Sequence, residues 1–271
     1  MMNTWIVATI VAAVAGIVGF FVVIRGASFA AHALPLGTFP GAAAASLLGV
    51  NPLFGLLVFS GLGVIGISQL GKRGRQEVAT ALSLVMLLGL GALFLSMSTE
   101  YSQETYALLF GEVLGVSSSD LAPVAAISAV SIALTVLLFR PLLLSSVSPE
   151  LGEARGVPAV RMELLFLTIV GLATAVALPV VGTLLVFSLM VGPASAARAL
   201  TDRPLRAMLL SAVISLVIIS TAITFAFVSD WPIGFFIGSL SALAYGAGRM
   251  RPRHRGPSSR HGRPCRDGCP A

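Results

Sequence analysis

MELLFLTIVGLATAVALPVVGTLLVFSLMVGPASAA, residues 162–197, runs for 36 residues with Glu163 as its only charge, and Arg161 and Arg198 bracket it. As a single helix it would measure about 54 Å, far beyond the roughly 30 Å hydrocarbon core of a bilayer. Basic residues gather at the cytoplasmic ends of membrane spans, so arginines at both ends put both ends on the same side. An even number of crossings follows. The run is expected to fold back near Pro179-Val-Val-Gly182.

The rest of the chain threads outward from this hairpin by the same rule. Hydrophobic residues make up 56% of the 271 and charged residues only 10%, with a mean hydropathy of +0.97; soluble domains carry about a quarter charged. The apolar stretches suit helices of about 20 residues and lack the short alternation of a membrane β-barrel. The expected class is all-α, a polytopic transmembrane bundle of about eight to nine spans. Spans are placed at 5–24, 29–49, 53–70, 77–98, 121–140, two within 162–197, then 205–228 and 232–248. Arg25, the Lys72/Arg73/Arg75 cluster and Arg140 then fall on the cytoplasmic side, giving an N-terminus outside and a C-terminus inside. No Lys or Arg precedes Arg25, so the first stretch lacks the basic start of a secretory signal and is expected to remain as a span. Residues 99–120 contain four acids and no base, which suits an external face with one short interfacial helix.

Charge divides the chain into two parts. Residues 1–248, the expected transmembrane domain, hold ten Lys or Arg and ten acids, and the tail 249–271 has seven arginines against one aspartate. The net +6 is therefore a property of a basic, disordered cytoplasmic tail that can touch anionic lipid; no nucleic-acid role is assigned to it. Cys265, Cys269, His254 and His261 all lie there as a loose cluster; a plain solvated tail is the expected reading, with a soft-metal site at His261, Cys265 and Cys269 as the weaker alternative. GISQLGKR, residues 66–73, approaches a phosphate-binding loop but has Arg73 where a hydroxyl must hold magnesium, and it ends a span where a strand should precede a helix. Nucleotide chemistry is left to another chain, and no bound cofactor is expected on this one. Small residues crowd the spans, as close helix packing requires, and no internal sequence repeat is visible. Met86 and Met97 read as core fillers.

SPELGEARGVP, residues 148–158, interrupts the apolar pattern on the basic side. Pro149 followed by Glu150 favours a helix start, and Gly156-Val-Pro158 supplies a stop. On physics alone it is either a polar connection or a short capped helix offered to the cytosol.

Several stretches in fixed order resemble the permease subunits of zinc- and manganese-type ABC importers. VIRGASFAAHALPLGTFPGAAAASLLGVNP at 23–52 is similar to that family's Arg-Gly lead into its second span. LLFGEVLGVSSSDL at 108–121 resembles its external segment, and PELGEARGVP its coupling segment. GPASAARAL at 192–200 and SDWPIG at 229–234 complete the set. The resemblance covers about residues 20–245. It implies cytoplasmic ABC ATPase subunits, an extracytoplasmic metal-binding protein, a second permease copy in the lipid bilayer of a bacterial plasma membrane, and zinc, or next manganese, as the transported substrate. It also implies that Pro149, Glu150, Leu151, Glu153, Ala154 and Gly156 meet the ATPase, and that Asp120 and Asp230, with Glu100, Glu104 and Glu112, face outward where a binding protein docks. Many members place an Asp and, four residues later, a His in the second span; here those positions are His32 and Leu36. His32 is either a ligand along the translocation path or a hydrogen-bonded structural histidine, and Pro35, Gly37, Pro40 and Gly41 around it are expected to open the helix. Cobalamin or iron-chelate permeases are the rival within the ABC class; a secondary carrier or membrane scaffold without an ATPase is the rival outside it.

Overall fold

The computed structural model describes residues 2–71, 76–97, 118–229 and 231–250, and the regular elements among these are all α-helices. In chain order they are α1 (Met2–Ile24), α2 (Ser28–Leu48), α3 (Pro52–Gly71), α4 (Gln76–Ser96), α5 (Ser118–Leu137), α6 (Phe139–Val147), α7 (Pro149–Ala154), α8 (Ala159–Val181), α9 (Thr183–Leu200), α10 (Pro204–Ser229) and α11 (Ile233–Met250). The long apolar run breaks inside the expected turn, at the single residue Gly182. Its φ of 85° and ψ of 155° lie in a region essentially closed to any residue with a Cβ, so α8 stops there and α9 begins on a new axis.

Five helices, α1, α3, α4, α8 and α10, are long and apolar enough to cross a membrane, and α5 with α6 makes a sixth if the bent pair is one span. Helices α2, α9 and α11 fall short of that measure: α2 and α11 are rich in Ala, Gly and Ser, and the apolar part of α9 is only Leu185–Leu200. The span expected to end at Arg140 instead bends by 60° at Leu138 and continues as α6 to Val147, with Arg140 exposed. Pro141 has no N–H to give the carbonyl of Leu137, so the hydrogen-bond ladder fails there and the axis turns.

Two further expectations are corrected. Helix α2 does not open at its prolines; Pro35 and Pro40 sit inside one continuous helix and are buried. The neighbours hold it closed: a Cβ at Gly41 would strike the carbonyl of Gly55 on α3, and one at Gly91 on α4 would meet Pro40 at 2.8 Å. The prolines do remove the N–H partners of the Ala31 and Leu36 carbonyls. Met86 and Met97 are 69% and 67% exposed, so they belong to the outer surface of the bundle and not to its core.

The packing is organised around two buried helices. The apolar windows of α1 and α8 are 67% and 72% buried, against 33% for α3 and α4 and 39% for α10. Around them the pairings occur in duplicate. Helix α2 packs on α3 and α4, as α9 packs on α10 and α11; α1 packs on α9 and α10, as α8 packs on α2 and α3. Helices α1 and α8 touch, α2 and α9 touch, and α5 lies against both α1 and α8. Exchanging α1–α4 with α8–α11 leaves this scheme unchanged, so the fold is an internal repeat that the sequence does not display. Matching close approaches support it. Gly16 of α1 lies against Ala212 of α10, where the Ser211 hydroxyl donates to the Gly16 carbonyl at 2.7 Å, and Gly171 of α8 lies against the Ser60 hydroxyl of α3.

Candidate functional site

The segment that interrupts the apolar pattern is a short capped helix. Pro149 begins α7 with Ser148 extended before it, and Gly156, at φ +77°, ends it. The Gly156 N–H donates to the Glu153 carbonyl and the Val157 N–H to the Gly152 carbonyl, both at 2.9 Å, the paired bonds of a Schellman cap. Gly152 is buried against α6, while Glu150, Leu151, Glu153, Ala154 and Arg155 are exposed. Leu151 is 54% exposed and has Val147 and Val160 exposed on either side in sequence. A shallow groove lined by Glu153, Gly156, Pro158 and Arg161 runs beside the helix. The result is a fixed projection carrying two carboxylates and an apolar side chain, held to the bundle through α6 and α8.

His32 sits one turn into α2, where α2 crosses α9. Its ring meets Phe187 of α9 edge to face, centroids 5.1 Å apart. The two residues follow Gly26 and Gly182, the positive-φ glycines that separate α1 from α2 and α8 from α9, by six and five positions, and each is the fifth residue of its helix, so they occupy corresponding places in the repeat. His32 is half-buried, and its Nδ1 is enclosed with no hydrogen-bond partner among the described residues. An enclosed ring nitrogen without a partner costs free energy unless something else engages it. No group of three His, Cys, Asp or Glu gathers among the described residues, so His32 stands as a single imidazole near the proline-freed Ala31 carbonyl.

A second polar cluster lies between the α1–α2 link and the starts of α4 and α8. A cleft of about 460 Å³ is lined there by Arg25, Glu77, Thr80, Glu163 and Phe166, among others. The Arg25 guanidinium donates to the Ser145 hydroxyl at 2.9 Å and to that of Ser146 at 3.5 Å, and its carbon lies 4.9 Å from the centre of the Phe166 ring. Burial draws Arg25 below its ordinary pKa, and the Glu163 carboxylate pushes back. In the sequence Arg25 read only as a basic span end, and Glu163 vanished into an apolar run. The available signal was that each is isolated: Arg25 is the sole base before Lys72, and Glu163 the sole acid within 162–197.

Of the acids expected to face outward, Asp230, Glu100, Glu104 and Glu112 lie outside the described residues, as do the side chain of Asp120, the expected interfacial helix, Lys72 and Arg73, and the tail beyond Met250 with its His and Cys residues. Just past Asp230, Trp231 packs with Phe235 and Phe236 and closes the turn between α10 and α11.

The chain as a whole is similar to known proteins. The chain is 31% identical over 192 residues to the manganese transport system membrane protein MntC of Listeria monocytogenes, covering 70% of this chain and 68% of that one. It is 30% identical over 199 residues to the manganese import system permease protein ScaB of Streptococcus parasanguinis, covering 73% and 71%. A solved structure, PsaBC from Streptococcus pneumoniae in complex with Fab, superposes with a TM-score of 0.82 over 91% of this chain and 90% of that one at 24% identity. With the family model matching residues 1–250, nearly the whole bundle, the chain belongs to the ABC 3 transport family.

Proposed function

We propose that this chain is the membrane permease subunit of an ATP-driven importer of divalent transition-metal ions in a bacterial plasma membrane. The observation that carries the reading is α7: a capped projection with exposed Glu150, Leu151 and Glu153, standing between α6 and α8 on the side where Arg25, Arg140, Arg155 and Arg161 collect. By the positive-inside rule that side is cytosolic, the N-terminus is outside, and nine crossings result when α2, α9 and α11 also span within the bundle. A separate ATPase grips α7. Its closure on ATP moves α6 and α8, and the bundle rocks between outward- and inward-open states. A second permease copy completes the pore, and an extracytoplasmic binding protein delivers the ion to the acidic outer face. The chain holds no cofactor of its own and forms no covalent intermediate.

The relatives named for manganese favour manganese as cargo. The lone imidazole at the α2–α9 crossing favours zinc, since nitrogen ligands suit zinc better than the harder manganese ion. Uptake of labelled manganese with zinc as competitor, and the reverse, separates the two. The coupling reading is tested by purifying the chain together with its ATPase. Glu150→Lys with Glu153→Lys is expected to release the ATPase while the permease stays folded, and an undiminished complex with undiminished uptake would overturn the assignment.

A further inference from the structure

We propose that Arg25 is the relay that carries movement of the coupling segment into α2, the helix that bears His32. The proposal rests on the reading of α7 as the ATPase-gripped element. Helices α6 and α7 are joined by the single residue Ser148, so a displacement of α7 must move α6. Helix α6 packs on α1, α5 and α8 but has no comparable packing on α2. The bridge is a side chain. Arg25 reaches from the α1–α2 link to Ser145 and Ser146, 120 and 121 residues away in sequence.

The chemistry of the contact suits transmission of force. Both serine hydroxyls donate back to the Leu142 carbonyl, which leaves their lone pairs to accept from Arg25 and fixes their direction. Both bonds leave one prong of the guanidinium fork, Nη1, whose two N–H groups are held in fixed directions by the plane, while the guanidinium carbon stays 4.9 Å from the centre of the Phe166 ring of α8; a lysine ammonium on its rotating stem fixes neither direction. The link on the other side of Arg25 is stiff. The Gly26 N–H donates to the Val23 carbonyl at 3.3 Å and the Ala27 N–H to the Val22 carbonyl at 3.0 Å, while the Ala31 N–H reaches back to the Ala27 carbonyl at 3.0 Å. Displacement of the guanidinium therefore passes into the first turn of α2, one turn from His32, with little slack. The second half of the repeat has no such device: Gly182 alone joins α8 to α9.

The test uses the permease with its co-purified ATPase in proteoliposomes, measuring ATP hydrolysis and manganese uptake together. Ser145→Ala with Ser146→Ala removes the acceptors and leaves the packing. Arg25→Met removes the fork, and Arg25→Lys keeps the charge without it. The expected result is a complex that still assembles and hydrolyses ATP within about twofold of the parent while uptake per ATP falls about fivefold or more. Lysine should lie between parent and methionine, and combining Arg25→Met with the serine pair should add nothing further, as for groups acting as a unit. An unchanged ratio of uptake to hydrolysis in the serine pair overturns the relay. Hydrolysis and uptake falling in equal proportion also overturns it, because a merely structural anchor predicts that. If Glu150→Lys with Glu153→Lys leaves the ATPase bound, the reading of α7 falls and the relay with it. If that variant releases the ATPase while the Arg25 and serine variants keep the parent ratio, the relay alone falls.

Discussion

Helices α1–α4 and α8–α11 are built to one packing plan and differ in a few residues at its centre. Both halves begin with a deeply buried helix, both end that helix at a positive-φ glycine, and both lay the next helix across the other half. The first half joins its two leading helices through Arg25-Gly26-Ala27 and brings His32 to the crossing; the second uses Gly182 and brings Phe187. The contrast teaches that the scaffold is duplicated while the imidazole at the crossing and the arginine that links the two leading helices belong to one copy only. Apolar packing can be satisfied twice by unrelated sequences, whereas a buried polar group is costly and is kept only where something engages it.

The comparison can be broken hardest at the matching close approaches. An alanine at Gly16 would place its Cβ 2.5 Å from the Ala212 Cα, a backbone atom that cannot swing away, whereas one at Gly171 clashes with the Ser60 hydroxyl and otherwise meets Val64 Cγ2 at an ordinary 3.4 Å. Thermal unfolding in detergent should show a loss of about 3 kcal/mol for Gly16→Ala and about 1 kcal/mol for Gly171→Ala, within the usual range for overpacking. Adding Ser60→Ala should restore the second and leave the first untouched.

The two linkers come next. Gly182, at φ 85° and ψ 155°, occupies a region closed to alanine, and Gly182→Ala should cost about 2 kcal/mol. Gly26, at φ 66°, sits where a left-handed residue is strained but tolerated, and Gly26→Ala should cost about 1 kcal/mol by the same melting measurement. Equal costs would mean the two breaks are not distinct.

The mildest change sharpens the asymmetry at the crossing. His32→Phe makes the two halves alike there and replaces an enclosed, unpartnered nitrogen with carbon, so stability should hold or rise slightly. Metal uptake should fall about tenfold or more, the scale on which even supporting groups act at metal sites. Uptake at the parent level would make His32 a packing residue and remove the chemical distinction between the halves.

Much of this architecture was legible in the chain. The break at Gly182 followed from a run too long for one crossing with like charges at both ends, and of the two readings open for residues 148–158 the structure has the short helix, begun at Pro149 and ended by Gly156. Signals that involve only neighbouring residues survive folding unchanged. Readings that depended on partners fared worse. Pro35 and Pro40 suggested an opened helix, but α3 and α4 clamp α2 shut; Met86 and Met97 suggested core, but Met86 on α4 and Met97 just past its end are both exposed. Arg140 looked like the end of a span, yet Pro141 bends the helix instead of ending it.

By itself, then, the sequence determined which apolar segments are helical, where the long run breaks, that they belong in a bilayer, and which family resemblance they carry, because apolarity, helix period and capping are local properties. Only the tertiary structure decided that the two halves repeat, that His32 meets Phe187, and that Arg25 grips serines 120 and 121 residues away. In a bundle whose helices are nearly all apolar, no local pattern states which faces meet. That choice is made by close packing of small residues and by the few polar groups that must find partners inside.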